Sequence, residues 1–225
     1  MRIHSLHPWN VSRQEALDLQ NQLARKIDTT NRLSTPTRIA GADISMKRGE
    51  TTAYAGIVVL DAATLEIQKE YFIKGRIDFP YIPGLLSFRE APLLLELFAQ
   101  VSPKPHLIFF DGQGLAHPRK LGLASHMGLF LKCPTVGCAK SRLVGRFKEP
   151  GPKKGSRSRL VGEDNRTLGA AVRTREGCKP VLISIGHQID LDTAVHWTLK
   201  CSRYRIPEPT RLAHLRVNDY RKSHF

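Results

Sequence analysis

Cysteine is scarce in this chain: Cys133, Cys138, Cys178 and Cys201 are the only four among 225 residues, and no two stand at a CxxC spacing. Neither a zinc ribbon nor a secreted disulfide framework is indicated, and reduced, partly buried thiols are expected. There is no run of 18 apolar residues to span a bilayer, and the opening MRIHSLHPWN has no apolar core of the signal-peptide kind. A cytoplasmic protein with no membrane partner is therefore expected. Internal repeats, low-complexity tracts and heptad seams are missing as well, so a monomer is expected. Acidic side chains are few, 20 against 35 lysines and arginines, which leaves a net charge of +15.

What is present, 41% hydrophobic and 24% charged residues, suits one globular domain over residues 1–225. The positive excess points first to nucleic acid, with an anionic membrane surface or simple solubility as plainer readings. Ser12 and Glu15 stand at capping-box spacing ahead of Ala16, Leu19, Leu23 and Ile27, which fall on one face; this predicts an amphipathic helix with ordinary packing duties. Strands are predicted in RIAGADIS and on either side of the turn at residues 61–64, giving an antiparallel meander. A helix is predicted over residues 85–100, with Pro92 kinking it or delaying its start.

HLIFFDG reads as a strand buried on both faces and opening into a loop, the place where open α/β sheets carry their chemistry. A helix near residues 119–131, a short strand in PTVGCAK, strands in LGAAVRT and PVLISIGH, and a helix over residues 190–201 complete an α/β pattern. Residues 148–167, rich in Gly, Pro and charge, read as an exposed basic loop that touches phosphates.

Asp43, Glu90 and Asp111 come from three distant segments, each at or near the end of a predicted element or alone in an apolar strand. Any one of them has a plainer reading, capping a turn or pairing with an arginine. Together they form a hard-oxygen set in a basic protein, which suits Mg²⁺-assisted phosphodiester hydrolysis.

FPYIPGLLSFRE, FDGQGLAHPRKLGLASHMGL, PTVGCAKSRL and RIPEPTRLAH, in that order, resemble the endonuclease V family, which nicks nucleic acid at inosine, the deaminated form of adenosine. The resemblance implies a ribonuclease H-like fold, a mixed β-sheet flanked by α-helices. It implies that Asp43, Glu90 and Asp111 hold Mg²⁺, for which Mn²⁺ substitutes. His214 then serves as ligand or supporting group, its plainer reading being a surface imidazole on the last helix. Lys140 is placed near the scissile phosphate.

The resemblance makes PYIP, Pro80, Tyr81, Ile82 and Pro83, a wedge with Tyr81 inserted where the base leaves the stack; the alternative is a tyrosine buried in a tight turn. It places the flipped hypoxanthine against Gly84, Leu86 and Gly112, with His117 as a base or phosphate contact. Hypoxanthine offers O6 as acceptor and N1–H as donor, the reverse of adenine, so backbone groups of fixed polarity discriminate between them. Arg119 and Lys120 are expected on phosphates, or on a solvated helix start, and His126 either in the site or in the core. Met46 and Cys138 depart from the family pattern without changing a charge.

The implied reaction is Mg²⁺-dependent hydrolysis of the second phosphodiester 3′ to deoxyinosine in DNA by activated water, leaving 3′-hydroxyl and 5′-phosphate ends. Inosine-containing RNA as main substrate and a lesion binder that does not cut are the alternatives.

Overall fold

The computed structural model describes residues 1–47 and 49–224. Its centre is one eight-stranded mixed sheet in the order β3-β2-β1-β4-β5-β8-β7-β6, made of β1 (Arg38–Met46), β2 (Thr52–Asp61), β3 (Ile67–Arg76), β4 (Leu107–Phe110), β5 (Thr135–Ala139), β6 (Arg157–Val161), β7 (Thr167–Val172) and β8 (Val181–His187). Five helices pack around it: α1 (Arg13–Ala24), α2 (Leu86–Gln100), α3 (Leu123–Leu131), α4 (Leu191–Lys200) and α5 (Glu208–Ser223). The expected meander is β1-β2-β3, antiparallel throughout. β4 joins β1 and β5 in parallel, and β8 and β7 continue antiparallel. The fold is the helix-flanked mixed sheet that the resemblance implies.

Two apolar clusters hold these layers. One gathers α2 and α3 against one face, through Leu94, Phe98, Met127 and Phe130 on Ile57 and Phe110. The other gathers α4 and α5 against the opposite face, through Val195, Trp197 and Ala213 on Ile39, Val58 and Phe109. All four residues of β4 are buried, which explains why it reads as a continuous apolar run without alternation. Three cysteines are buried and Cys178 is half-buried, all with free thiols. Among the described residues no helix is long and apolar enough to cross a membrane.

Three expectations need correction. Residues 148–167 are not all loop: β6 runs through them, pairs with β7 and closes the sheet. As an edge strand it buries only Leu160, so it lacks the apolar alternation by which strands are recognised. The helix expected from residue 119 begins at Leu123, because residues 112–122 form a tight loop in which the backbone of Gly122 meets that of Gly114. Pro92 does not delay α2, which runs from Leu86 with the proline inside it. Burial of Ala91, Leu93, Leu94 and Leu95 around it outweighs the roughly 3 kcal/mol that an interior proline costs.

Candidate active site

β1 and β4 run parallel side by side, so Asp43 within β1 and Asp111 just beyond β4 come to the same end of the sheet. Glu90 reaches them from the first turns of α2. The three charges feel one another. Burial, then the negative charges of Asp43 and Asp111, push Glu90 up to about 8 against an opposing pull from Arg89. Burial raises Asp111 as well, while its hydrogen bond from Lys140 works the other way. Lys140, the residue after β5, donates its ammonium to Asp111 Oδ2. His214 on α5 donates Nδ1–H to Asp43 Oδ2 at 2.7 Å, and this bond lifts the imidazole above its ordinary range.

A second rung lies beside that pair. Ser45, two residues along β1, donates to Asn218 at 2.6 Å, one turn along α5 from His214. The Asp43 that looked costly to bury is thus paired, and His214 is not a free surface imidazole. Three mutually repelling carboxylates form an oxygen donor set that suits a hard divalent cation such as Mg²⁺. Among the described residues no three acidic, histidine or cysteine side chains stand as a ready-made metal cage; the fit is one of donor chemistry.

The PYIP loop stands next to this cluster. Tyr81 is 70% exposed, which removes the reading of a buried turn tyrosine. Beside it lies a cavity of about 160 Å³ walled by Gly84, Leu86, Gln113, His117 and the exposed Leu143. Gly112 does not line it; Gln113, the next residue, does.

Gly84 is left-handed at φ 79°, where a side chain is strained, and a Cβ there would meet the Arg119 guanidinium at 2.8 Å. Its carbonyl accepts three hydrogen bonds, from Gln20 Nε2 at 3.0 Å, His117 Nε2 at 3.0 Å and Arg119 Nη2 at 2.9 Å. Arg119 Nε is in turn held by Gln20 Oε1. His117 and Arg119 thus fasten the PYIP loop through Gly84, His117 also lines the cavity, and Lys120 faces Asp164 at 3.7 Å. Gln20 had no signal in the sequence beyond being a polar residue on a helix otherwise packed by its apolar face. It is 1% exposed, and its partners lie 64 and 99 residues away.

Behind the loop, His126 is a core histidine. His7 donates Nδ1–H to the Pro8 carbonyl, so its Nε2 must accept from His126 Nε2–H at 2.8 Å, and His126 Nδ1 then accepts the Ser87 hydroxyl. Phe88, Phe130 and Trp9 enclose the pair. Burial holds His126 well below its usual value, and burial with the neighbouring Arg119 charge holds His117 down to about 4.

These depressed values make one contribution to the acid response. Between about pH 4 and the unfolded histidine value near 6.5 the unfolded chain binds protons that the fold excludes, so the histidine contribution to stability falls as pH falls, while Glu90, raised to about 8, works the other way. His117 alone should remove roughly 2–3 kcal/mol by pH 4.5. Urea midpoints at pH 7.5 and 4.5 measure it: between those values His117→Gln should lose less stability, or gain more, than wild type, and equal changes would refute this assignment.

The profile of the Endonuclease V family matches residues 21–215. An endonuclease V from Gloeobacter violaceus is 47% identical over 223 residues, spanning 97% of this chain and 90% of its own length. The crystal structure of endonuclease V from Streptomyces avermitilis superposes with a TM-score of 0.91 at 37% identity, covering 100% of this chain and 99% of that one. Endonuclease V of Ciona intestinalis, solved with a DNA containing an inosine followed by a ribo-adenosine, superposes at a TM-score of 0.83 and 26% identity over 96% of this chain and 100% of its own. With its motifs in order, its sheet carrying the acids at one end and relatives of this closeness along its whole length, the chain belongs to the endonuclease V family of nucleases.

Proposed function

We propose that the protein is a DNA repair endonuclease that finds deoxyinosine and hydrolyses the second phosphodiester on its 3′ side, leaving 3′-hydroxyl and 5′-phosphate ends. The observation that carries this reading is the exposed Tyr81, stiffened by Pro80 and Pro83, beside a base-sized cavity next to three carboxylates.

Asp43, Glu90 and Asp111 would hold Mg²⁺, or Mn²⁺ in its place. When bound, the cation supplies charge stabilisation on the phosphoryl oxygens and acidifies water. The protein's own groups do the rest. Lys140 Nζ offers a positive charge to the developing oxyanion, and His214 fixes the orientation of Asp43. Tyr81 replaces the stacking that the flipped base leaves behind, and the two prolines lower the entropy of presenting the ring. The Gly84 carbonyl is consumed by its three donors, so it braces the pocket wall; discrimination falls to the other main-chain groups around the cavity.

The test is a denaturing-gel assay on an end-labelled duplex with one deoxyinosine, with Mg²⁺ or EDTA, beside an undamaged duplex. A single Mg²⁺-dependent nick one nucleotide beyond the inosine is expected. Absence of any nick with binding retained would overturn the reading. A matched RNA strand belongs in the same assay, because the DNA bound by the Ciona relative carries a ribo-adenosine after its inosine; faster cutting of RNA would make RNA the main substrate.

Tyr81→Ala should weaken binding to the inosine strand by about tenfold, the lower end of what a base–aromatic stack contributes. Affinity for undamaged duplex, which rests on phosphate contacts, should change far less. Parallel titrations compare the two, and equal losses would remove the wedge role.

A further inference from the structure

A second cavity lies on the β8 side of Lys140, about 330 Å³ in volume, and of its lining only Lys140 has a part in the reaction described above. Its wall carries four cations, Lys140, Arg142, Lys179 and Arg205, with Phe147 and a single acid, Glu149. That acid is already taken by Arg173 at 2.8 Å. Arg142 and Lys179 are exposed, and among the described residues neither is in an ion pair.

Arg205 is fixed in place. Its guanidinium donates to the carbonyls of Lys140 and Lys179, both at 3.0 Å, and so ties the end of β5 to the start of β8. Phe147 is half-buried, with its base on Ala139, Ala171 and Leu182. The loop 141–147 separates the two cavities: Leu143 lines the base cavity, while Arg142 and Phe147 line this one. Cations around an aromatic ring that remains partly accessible are the combination that holds a single-stranded nucleotide, the charges on its phosphate and the ring under its base.

We propose that this cavity is a downstream nucleotide subsite. It receives the nucleotide that follows the cleaved phosphodiester, with that nucleotide's 3′-phosphate among Arg142, Lys179 and Arg205 and its base against Phe147. This rests on the functional reading above, in which the inosine occupies the base cavity and the bond to its 3′ side lies at the carboxylates. A strand so placed continues past Lys140, and the cavity opens there. The subsite therefore favours an unpaired base beyond the nick and gives the protein a hold on the 5′-phosphate end of the product.

The experiment measures binding of inosine-containing DNA strands in EDTA, by fluorescence anisotropy across a salt series. One set of strands ends at the scissile linkage, a second runs three nucleotides further 3′, and a third is extended by three nucleotides 5′ instead. Wild type should gain about tenfold in affinity from the 3′ extension, and Arg142→Ala/Lys179→Ala should lose that gain. The slope of log K against log salt should fall by about 0.7 in the double variant, the value for one phosphate neutralised in a single strand.

Phe147→Ala should lose the part of the gain that disappears when the first downstream nucleotide is made abasic, and Phe147→Tyr should keep it. Thermal melting confirms that each variant is folded, and the tyrosine variant keeps the test valid where alanine is not. The proposal is overturned if the variants keep the full gain, if they weaken the truncated strand equally, or if the variant-sensitive gain follows the 5′ extension. Failure of the functional reading gives a different pattern, namely wild type binding inosine and adenine strands alike.

Discussion

Asp43→Ala is expected to lower the single-turnover rate on a deoxyinosine duplex by about 10³-fold, the scale of losing one well-placed electrostatic group in an active site. Binding to the same duplex should stay within about threefold, because affinity comes from phosphate contacts spread over a protein of net charge +15. The split follows from placement. Asp43 projects from the middle of β1, paired with Gly56 of β2 and one residue past the last β4 pair, Ala42 with Phe110, so its backbone is held and brings no other group into its place. It also holds His214 at 2.7 Å. The variant therefore loses an oxygen donor and the partner that fixes the imidazole together. Asp43→Asn keeps the shape and one carbonyl oxygen while losing the charge, and should recover little of the rate. Cleavage by Asp43→Ala within tenfold of wild type, measured by gel under enzyme excess, would remove Asp43 from the site.

Gly41→Ala should be the most damaging change that touches no charged group. A Cβ at Gly41 would lie 1.9 Å from the Pro209 carbonyl oxygen and 2.8 Å from the Thr210 nitrogen. Both are backbone atoms at the first turn of α5, and backbone does not swing aside as a side-chain end does. The helix must shift, at about 3 kcal/mol, the upper end for overpacking in a core. Gly41 and Asp43 are two apart in β1 and so face the same side of the sheet, the side on which α5 carries His214. A displaced α5 lengthens the Asp43–His214 and Ser45–Asn218 bonds together. The variant should melt well below wild type and, at temperatures where it is still folded, cut at least about tenfold more slowly, as misplacement by an ångström allows.

Gly56→Ala is the comparison. Gly56 pairs with Asp43 across β1 and β2, and its added Cβ would meet Val217 Cβ on α5 at 2.7 Å. That overlap is shallower than the 1.9 Å approach at Gly41, so α5 need move less and the loss should be smaller. Equal melting temperatures for wild type and Gly41→Ala, or an order reversed between the two glycines, would refute this account of how α5 is seated.

Much of this was legible in the amino-acid order alone. An acid inside AGADIS, an acid closing LIFFD and a lysine after TVGCA are visible because a charged residue in an apolar run is expensive unless something compensates it. Apolar periodicity located α1, α2 and the central strands to within a few residues, and the quoted motifs were enough to suggest the family. The same local grammar missed β6, whose alternation is erased at an exposed edge. It also misplaced the start of α3, where packing between glycine backbones replaces the expected helical turn.

The tertiary structure alone decided how the polar side chains are used. Arg119 looks like a phosphate contact in HPRK and His117 like a base or phosphate contact; both bond the Gly84 carbonyl, and His117 also lines the cavity. Gln20 is one polar residue among several on α1 and is a buried brace of the Gly84 carbonyl. His126 pairs with His7, 119 residues away. In each case the deciding partner lies far along the chain and is a carbonyl or a neutral ring nitrogen, a group that every sequence offers everywhere. Residue type states what a side chain is able to bind, and its cost of burial shows locally. Which partner it meets depends on how the helices seat on the sheet, and that is set by the summed packing of apolar residues and glycines with no chemistry of their own.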